Sequence, residues 1–429
     1  MTCPITPLRY RSCSITIIFC RDLSCQVRET GKPWYNPGMK NKRRKYAKII
    51  SGQLPAGVLV QATLLLAGVL AVMVAPRFPA QIEKYYSMGA GRIFMKMLSG
   101  FSRLFPFSLA EILIAGGILF LLFFILVRIP LAGFRKKHRR KSRKALHPQP
   151  DRLSRVFRIF RAAALAYLLF YGLWGLNYFR IPLLKIAGYP AVPYSAKTLA
   201  DFTARVAWET TSARAQVMED AADGIARLQG EPSGAAVRAA PGLQKLQEKF
   251  PEFRITGVRA KPVVLSGVLS RLGIAGFFFP FTGEASVNVR MPAITVPQAV
   301  CHELAHLNGY AREEEAEFLA CMACRLHPDP DFRYSGRLVE LSHCLNLLRA
   351  ADPAAWQAVW NGMDDGVARD LAAVSRYWKD REGLLTRVSE KVNDYYLKSN
   401  RQEQGVGSYS QVVGLLLAEA AAEAAAENP

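Results

Sequence analysis

The segment Cys301-His302-Glu303-Leu304-Ala305-His306 carries the residue types of a zinc-assisted hydrolysis. His302 and His306 lie four apart, so on a helix they share a face and can both turn toward one zinc ion. Glu303 falls beside that face, where it can take a proton from a water that the metal activates and pass it to a leaving amine. The pattern from 297 to 308 is helical, Pro297 suits a first turn, and Gly309 can end the helix. The chain has only 6 histidines, and two of them stand in this motif.

A catalytic zinc takes three protein ligands and keeps one position open. The third is expected from the acid run Glu313, Glu314, Glu315 and Glu317, on a second helix predicted over 312–326. Glu313 is the preferred ligand. Glu317, one turn on, then orients a ligand histidine from behind. Glu315 is the alternative ligand, and Ala316 and Ala320 leave room for close helix packing. The developing oxyanion also needs a donor. Tyr409 is preferred, since Gly405 and Gly407 make its loop adaptable; Tyr310 and Tyr396 are the others. A strand at 286–290 is expected to bind substrate backbone by edge pairing.

These residues must be held by the rest of a 429-residue chain with formal charge +22, 51% apolar residues and a mean hydropathy of +0.08. Much of the charge sits in two blocks, Lys40 to Lys48 and Arg135 to Lys144, each abutting a long apolar run. Charge so placed reads as topology control by the positive-inside rule rather than as a nucleic-acid face, so the expected partners are a lipid bilayer and no nucleic acid. The apolar runs predict three transmembrane helices at 54–75, 105–127 (with Glu111 near its start) and 162–179, each near the ~20 residues needed to cross. Both basic blocks fall on the cytoplasmic side. Residues 76–104 then form a short outer loop, and everything after about Arg180 lies outside.

The expected organisation is an N-terminal extension at 1–38, a membrane domain at 39–180 and an extracytoplasmic domain at 181–429. The extension reads as non-native or disordered, with Met39 the alternative start. The outer domain reads as mainly helical α+β. Ser195 begins a helical stretch to 248 that Gly230 and residues 231–234 break, 253–266 is a strand, and 267–285 is an apolar loop leading into the next strand. Further helices are predicted at 335–349, 353–376, 382–397 and 410–427. Cys301, Cys321, Cys324 and Cys344 fall in this domain, where an outer location permits disulfides. Cys321, Cys324 and His327 read as packed residues of an Ala-rich helix rather than as a soft metal site.

Several segments carry a resemblance. They are Gly273-Ile274-Ala275-Gly276, Phe279 to Ala285, His302 to His306, Glu313 to Ala320, Tyr334-Ser335-Gly336, Asn393-Asp394 and Gly405 to Tyr409. In these the chain resembles the bacterial membrane family DUF3810, over most of its length after Met39, and that family looks like a branch of the zincin-type peptidases. The second acidic helix is similar to the third-ligand helix of the gluzincins, where a glutamate binds zinc and an acid or amide four residues on supports a histidine. Glu317 stands where the family usually has Asn, and a carboxylate can still accept from that histidine. The resemblance implies a zincin-like fold in a multi-pass membrane protein, with zinc as cofactor. On this reading the protein is a membrane-anchored zinc peptidase acting on a protein or peptide of the cell envelope. The alternative is a non-catalytic, zinc-stabilised envelope scaffold or sensor, for which Cys301 is a poor fourth ligand because it points about 100° from the histidine face.

Overall fold

In a computed structural model of the chain, the described residues are 56–128, 152–190, 193–251, 259–400, 402 and 411–427. The N-terminal extension, Met39, both basic blocks and Tyr409 lie outside them. The chain divides into Met1–Gln61 and Ala62–Pro429, and the second unit positions the site.

Two helices are long and apolar enough to cross a membrane. Val60–Arg77 has mean hydropathy 1.7 and Leu109–Val127 has 2.7. They fall in α1, Ala56–Val74, and in α3, Leu109–Phe123, which continues as a wider turn to Arg128. Between them the expected outer loop is instead largely helical. It contains Ile82–Ala90 and then α2, Gly91–Ser102, whose Met95, Ser99 and Ser102 are buried while Ile93, Met97 and Phe101 are exposed. The third expected span also differs. It starts within α4, Arg152–Leu173, but the chain leaves the α-helix at Trp174 and runs as a tight turn, Gly175–Phe179, buried in the body of the protein. Aromatic packing against the site wins there over helix continuation: Trp174, Tyr178 and Phe179 join a buried cluster with Val72, Ile82, Met95 and Ala311.

The rest is mainly helical with two small sheets. Ser195 caps α5, Ala196–Arg214, by accepting from the Thr198 N–H. A short hairpin follows, β1 Met218–Glu219 with β2 Ala226–Arg227, then α6, Ala240–Lys249. The second sheet holds β3 Lys261–Pro262, β4 Gly276–Phe279 and β5 Glu284–Val287 in the order β3-β5-β4. β4 runs antiparallel to β5 with Gly276 opposite Val287, and β3 runs parallel to it. The expected apolar loop at 267–285 is therefore a helix, α7 Ser266–Leu272, a left-handed turn at Gly273 (φ 72°) and a β-hairpin closed at Gly283. The strand expected at 286–290 is the central one. Both of its edges are taken, so it cannot pair with a substrate; the edge strands are β3 and β4, and β4 is the one that passes the site.

The core is formed by α8 Val296–Leu307, α9 Glu313–Leu326 and α10 Pro330–Ala351, with α5 and the sheet packed around them. The helix expected at 353–376 is two, α11 Pro353–Asn361 and α12 Asp365–Lys379, because Asp364 opens a new helix with its carboxylate on the N–H groups of Gly366 and Val367. α13, Leu384–Ser399, and α14, Val412–Glu427, complete the chain. Cys301, Cys321, Cys324 and Cys344 are buried free thiols. Burial pushes the Cys324 thiol well up, and its hydrogen-bond partner is Cys301.

Candidate metal centre

Every residue of α8 is buried, so the helix crosses the core rather than lining its surface. Pro297 stands in its first turn. Its end is set by Gly309, at φ 91°, a conformation that a Cβ makes costly. The Gly309 N–H donates to the His306 carbonyl and the Tyr310 N–H to the Ala305 carbonyl. This turn swings the chain back so that α9 starts beside the last turn of α8. α9 opens on Glu313, Glu314 and Glu315, which complement the positive end of the helix dipole, and the first of them turns inward.

One ligand atom each from His302, His306 and Glu313 lie within 4.8 Å of one another, and all three residues are buried. Glu313 Oε2 is 3.3 Å from His302 Nε2 and 3.4 Å from His306 Nε2. The opposite ring nitrogens are engaged elsewhere. His302 Nδ1 is 2.7 Å from Glu317 Oε2, and His306 Nδ1 is 2.7 Å from the Tyr310 carbonyl. A carbonyl only accepts, so His306 carries its proton on Nδ1 and turns the lone pair of Nε2 to the centre. Glu317 does the same for His302, and its other oxygen meets His343 Nε2 at 2.9 Å. Trp174 donates its indole N–H to the His306 carbonyl at 3.3 Å, fixing the last turn of α8 from the α4 side.

The electrostatics follow from burial and close pairing. Burial opposes charge on His302, but hydrogen bonds from Glu313 and Glu317 outweigh it and hold the imidazole well above its ordinary value. Burial likewise opposes charge on Glu313 and Glu317; the histidines outweigh it and hold both carboxyls below the usual carboxylate range. Glu303 differs. Burial pushes it up to about 7, partly offset by His302 and His306. Its Oε2 is buried without a hydrogen-bond partner. On its other side the carboxylate packs against the edge strand, where a Cβ added to Gly276 would lie 2.7 Å from Glu303 Oε1.

Two imidazole lone pairs and one carboxylate oxygen on a common centre, each histidine backed by an acceptor, are a donor set that fits zinc. The orphaned Glu303 oxygen fits a group that binds or deprotonates a water there. Glu315 is not brought to this centre. Its Oε1 accepts from the Leu183 N–H at 2.8 Å and from Arg312 at 2.6 Å. Glu314 instead meets Gln402 at 2.9 Å. Tyr310 serves through its carbonyl, while its ring lies 4.3 Å beneath the Arg180 guanidinium. Tyr396 packs against Tyr178 and Phe170. Burial pushes its hydroxyl up to about 12, with smaller effects from a Tyr178 hydrogen bond and the Glu313 charge. Tyr178 donates to Tyr396 at 3.1 Å, which leaves the Tyr396 proton to point elsewhere. The Cys321–Cys324–His327 stretch forms no site: His327 is held by the Arg238 carbonyl and the Asp329 N–H.

Sequence reasoning missed His343, Trp174 and Gly276. His343 carried a signal, as one of few histidines and on a predicted helix. Trp174 and Gly276 reach the site only through tertiary packing. Arg180 was also missed. It is buried, pairs with Glu83 and donates to the Gly309 carbonyl at 3.0 Å, tying residues 82–90 to the α8–α9 turn.

A family model described as a protein of unknown function (DUF3810) matches residues 86–417. No curated protein and no solved structure matches the chain.

Proposed function

The chain belongs to the DUF3810 family, which brings no activity with it, and from the site alone we propose a membrane-anchored zinc peptidase acting on a protein or peptide of the cell envelope. The observation that carries the proposal is a ligand-ready His302–His306–Glu313 cluster beside a buried carboxylate oxygen with no partner of its own. A structural zinc site closes its fourth position, often with a thiolate. Here the nearest thiol in sequence, Cys301, is packed in the hydrophobic core off the histidine face, which favours the peptidase over the zinc-stabilised scaffold.

Zinc, when bound, supplies a Lewis acid that makes water nucleophilic near neutral pH. His302, His306 and Glu313 would hold it. Glu303 would accept the nucleophile's proton on its unpartnered Oε2 and return it to the leaving nitrogen. Tyr396 is the oxyanion donor we favour, because its own proton is not used on Tyr178. The edge of β4 offers main-chain groups to an extended substrate that passes Glu303. The two apolar helices and the third, α4, cross the bilayer, and the positive-inside pattern sets the domain on the outer face.

The metal part is tested directly. The purified chain should hold about one zinc. His302→Ala, His306→Ala and Glu313→Ala should lose it, and Glu315→Ala should keep it. Zinc retained by all four variants would end the proposal. Uptake by the stripped chain should also release protons, because without metal the carboxylates 3.3 Å and 2.7 Å from His302 favour its protonated form. Zinc affinity should therefore rise with pH. The sign for the metal-free fold is the opposite. A histidine held above its ordinary 6.5 contributes stability that is fully present below that pH and lost as pH rises through the folded value.

A further inference from the structure

We propose that α13 lies in the plane of the membrane surface with its apolar sector in the lipid, which sets the metal centre at the bilayer and selects membrane-tethered polypeptides as substrates. The substrate class rests on the peptidase reading; the bilayer contact does not.

The helix has three sectors. Leu384, Leu385, Val388, Val392 and Tyr395 fall within about 100° of arc. All five are exposed, Leu384 at 77%, Val392 at 66% and Tyr395 at 78%. Thr386, Leu397 and Asn400 form a second sector that is buried against the body. Arg387, Glu390, Lys391, Asp394 and Lys398 form the third. A helix held by one face, with a second face apolar and bare and the third charged, matches an interfacial helix whose apolar side sinks roughly 5–10 Å into the headgroup and acyl boundary.

α13 is tied at its C-terminal end to α4 and, through α7, to the start of α3, two helix ends that the proposed topology puts on one side of the bilayer. At its C-terminal end Asn400 Oδ1 accepts from Tyr171 at 3.0 Å, and the Tyr396 ring meets Phe170, both near the end of α4. At its N-terminal end Thr386 donates to the Arg271 carbonyl of α7 at 3.0 Å. The loop before α7 is pinned in turn to the first turn of α3, where Glu111 accepts from the Val264 and Leu265 N–H groups at 3.0 and 2.6 Å. β5 holds the same helix start, since Glu284 accepts from the Ala110 N–H at 2.6 Å. With α4 and α3 crossing as proposed above, a helix fixed to these two ends runs along the membrane surface. Val264, Leu265 and Val268, in and just before α7, are bare and apolar as well, as are Met97, Phe101 and Leu104 in and just after α2. Tyr396, on the edge of the apolar sector, hydrogen-bonds Tyr178, whose ring packs on Trp174 and through it on His306, so aromatic contacts join the apolar sector to the site.

The test uses the full chain in lipid nanodiscs of phosphatidylethanolamine and phosphatidylglycerol. Hydroxyl-radical labelling of the unmodified chain should spare Tyr395 and modify Trp208, which is 71% exposed and lies on α5, away from this surface. A photo-crosslinking residue at Val392 should yield lipid adducts, and one at Glu390 should not. Tyr395 labelled as strongly as Trp208, or Val392 adducts formed with a second copy of the chain and not with lipid, would overturn the contact. For the substrate class the probes are one flexible peptide free in solution and the same peptide carrying an acyl anchor. The wild-type chain should prefer the anchored form, and Val388→Ser with Val392→Ser should lose that preference while cleaving the free peptide unchanged. An unaltered preference in the variant overturns the substrate class. Cleavage of neither peptide by any form counts against the peptidase reading and leaves the lipid contact to stand on the labelling.

Discussion

Gly276→Ala adds one methyl group where the edge strand passes the proposed proton carrier. The new Cβ would lie 2.7 Å from Glu303 Oε1, 2.8 Å from Glu303 Cγ and 2.9 Å from the Ser286 carbonyl oxygen. The last contact is backbone to backbone across the β4–β5 ladder, so rotation of a side chain alone cannot relieve it. The strand must retreat by several tenths of an ångström, or the carboxylate must. Overpacking of this kind costs typically about 1–3 kcal/mol. A carboxylate displaced by about 1 Å from its working position can lose about 10²-fold in rate. The proposed metal ligands belong to α8 and α9, not to the strand, so zinc content should not change. The assay is threefold: zinc per chain, the denaturant midpoint, and turnover of a peptide that the wild type cleaves. The expected result is full zinc, a lowered midpoint and a kcat loss larger than any change in KM. Wild-type stability and turnover would show that Glu303 is not held against this strand in the working enzyme.

Two further predictions use other parts of the account. Tyr396→Phe removes the proposed oxyanion donor and should lower kcat by about 10²–10³-fold with zinc unchanged; an unaffected kcat would move that role to another residue. A reporter fused after Pro429 should read as extracytoplasmic and one inserted near Lys141 as cytoplasmic; a cytoplasmic C-terminus would reverse the proposed orientation.

The ligand cluster was legible in the sequence because its signal is local. A four-residue spacing on a helix fixes a shared face, and Gly309 marks the reversal that brings Glu313 back. The choice between Glu313 and Glu315 was harder to read, since both lie in the first turn of α9. Arg312 and the Leu183 N–H, which claim Glu315 in the fold, come from a distant segment and from a neighbour whose direction only packing sets. The expected edge pairing at 286–290 failed for the same reason. The order β3-β5-β4 makes 284–287 central, and strand order is a property of non-local pairing that alternation does not encode. The apolar run 267–285 hid a hairpin because Phe277 to Phe279 form an edge strand, with Phe278 packed on Trp174, rather than an alternating, half-solvated one. The end of α4 reads as a span by composition alone. What draws Trp174 to Phe179 into the body is their fit beneath α8, with Trp174 on the His306 carbonyl.

The central claim is that Glu303 carries a proton at a zinc site it does not ligate, and the Glu303→Gln variant tests it most directly. Glutamine keeps the volume and most hydrogen bonding but cannot act as a base. Zinc per chain and cleavage of one peptide substrate should be measured side by side for wild type and variant, with complementation of a gene deletion scored in parallel. The account predicts unchanged zinc, a rate lower by about 10²–10⁴-fold, and failed complementation. Cleavage that persists in Glu303→Gln, or full complementation by a variant that holds zinc and cleaves nothing, would contradict it.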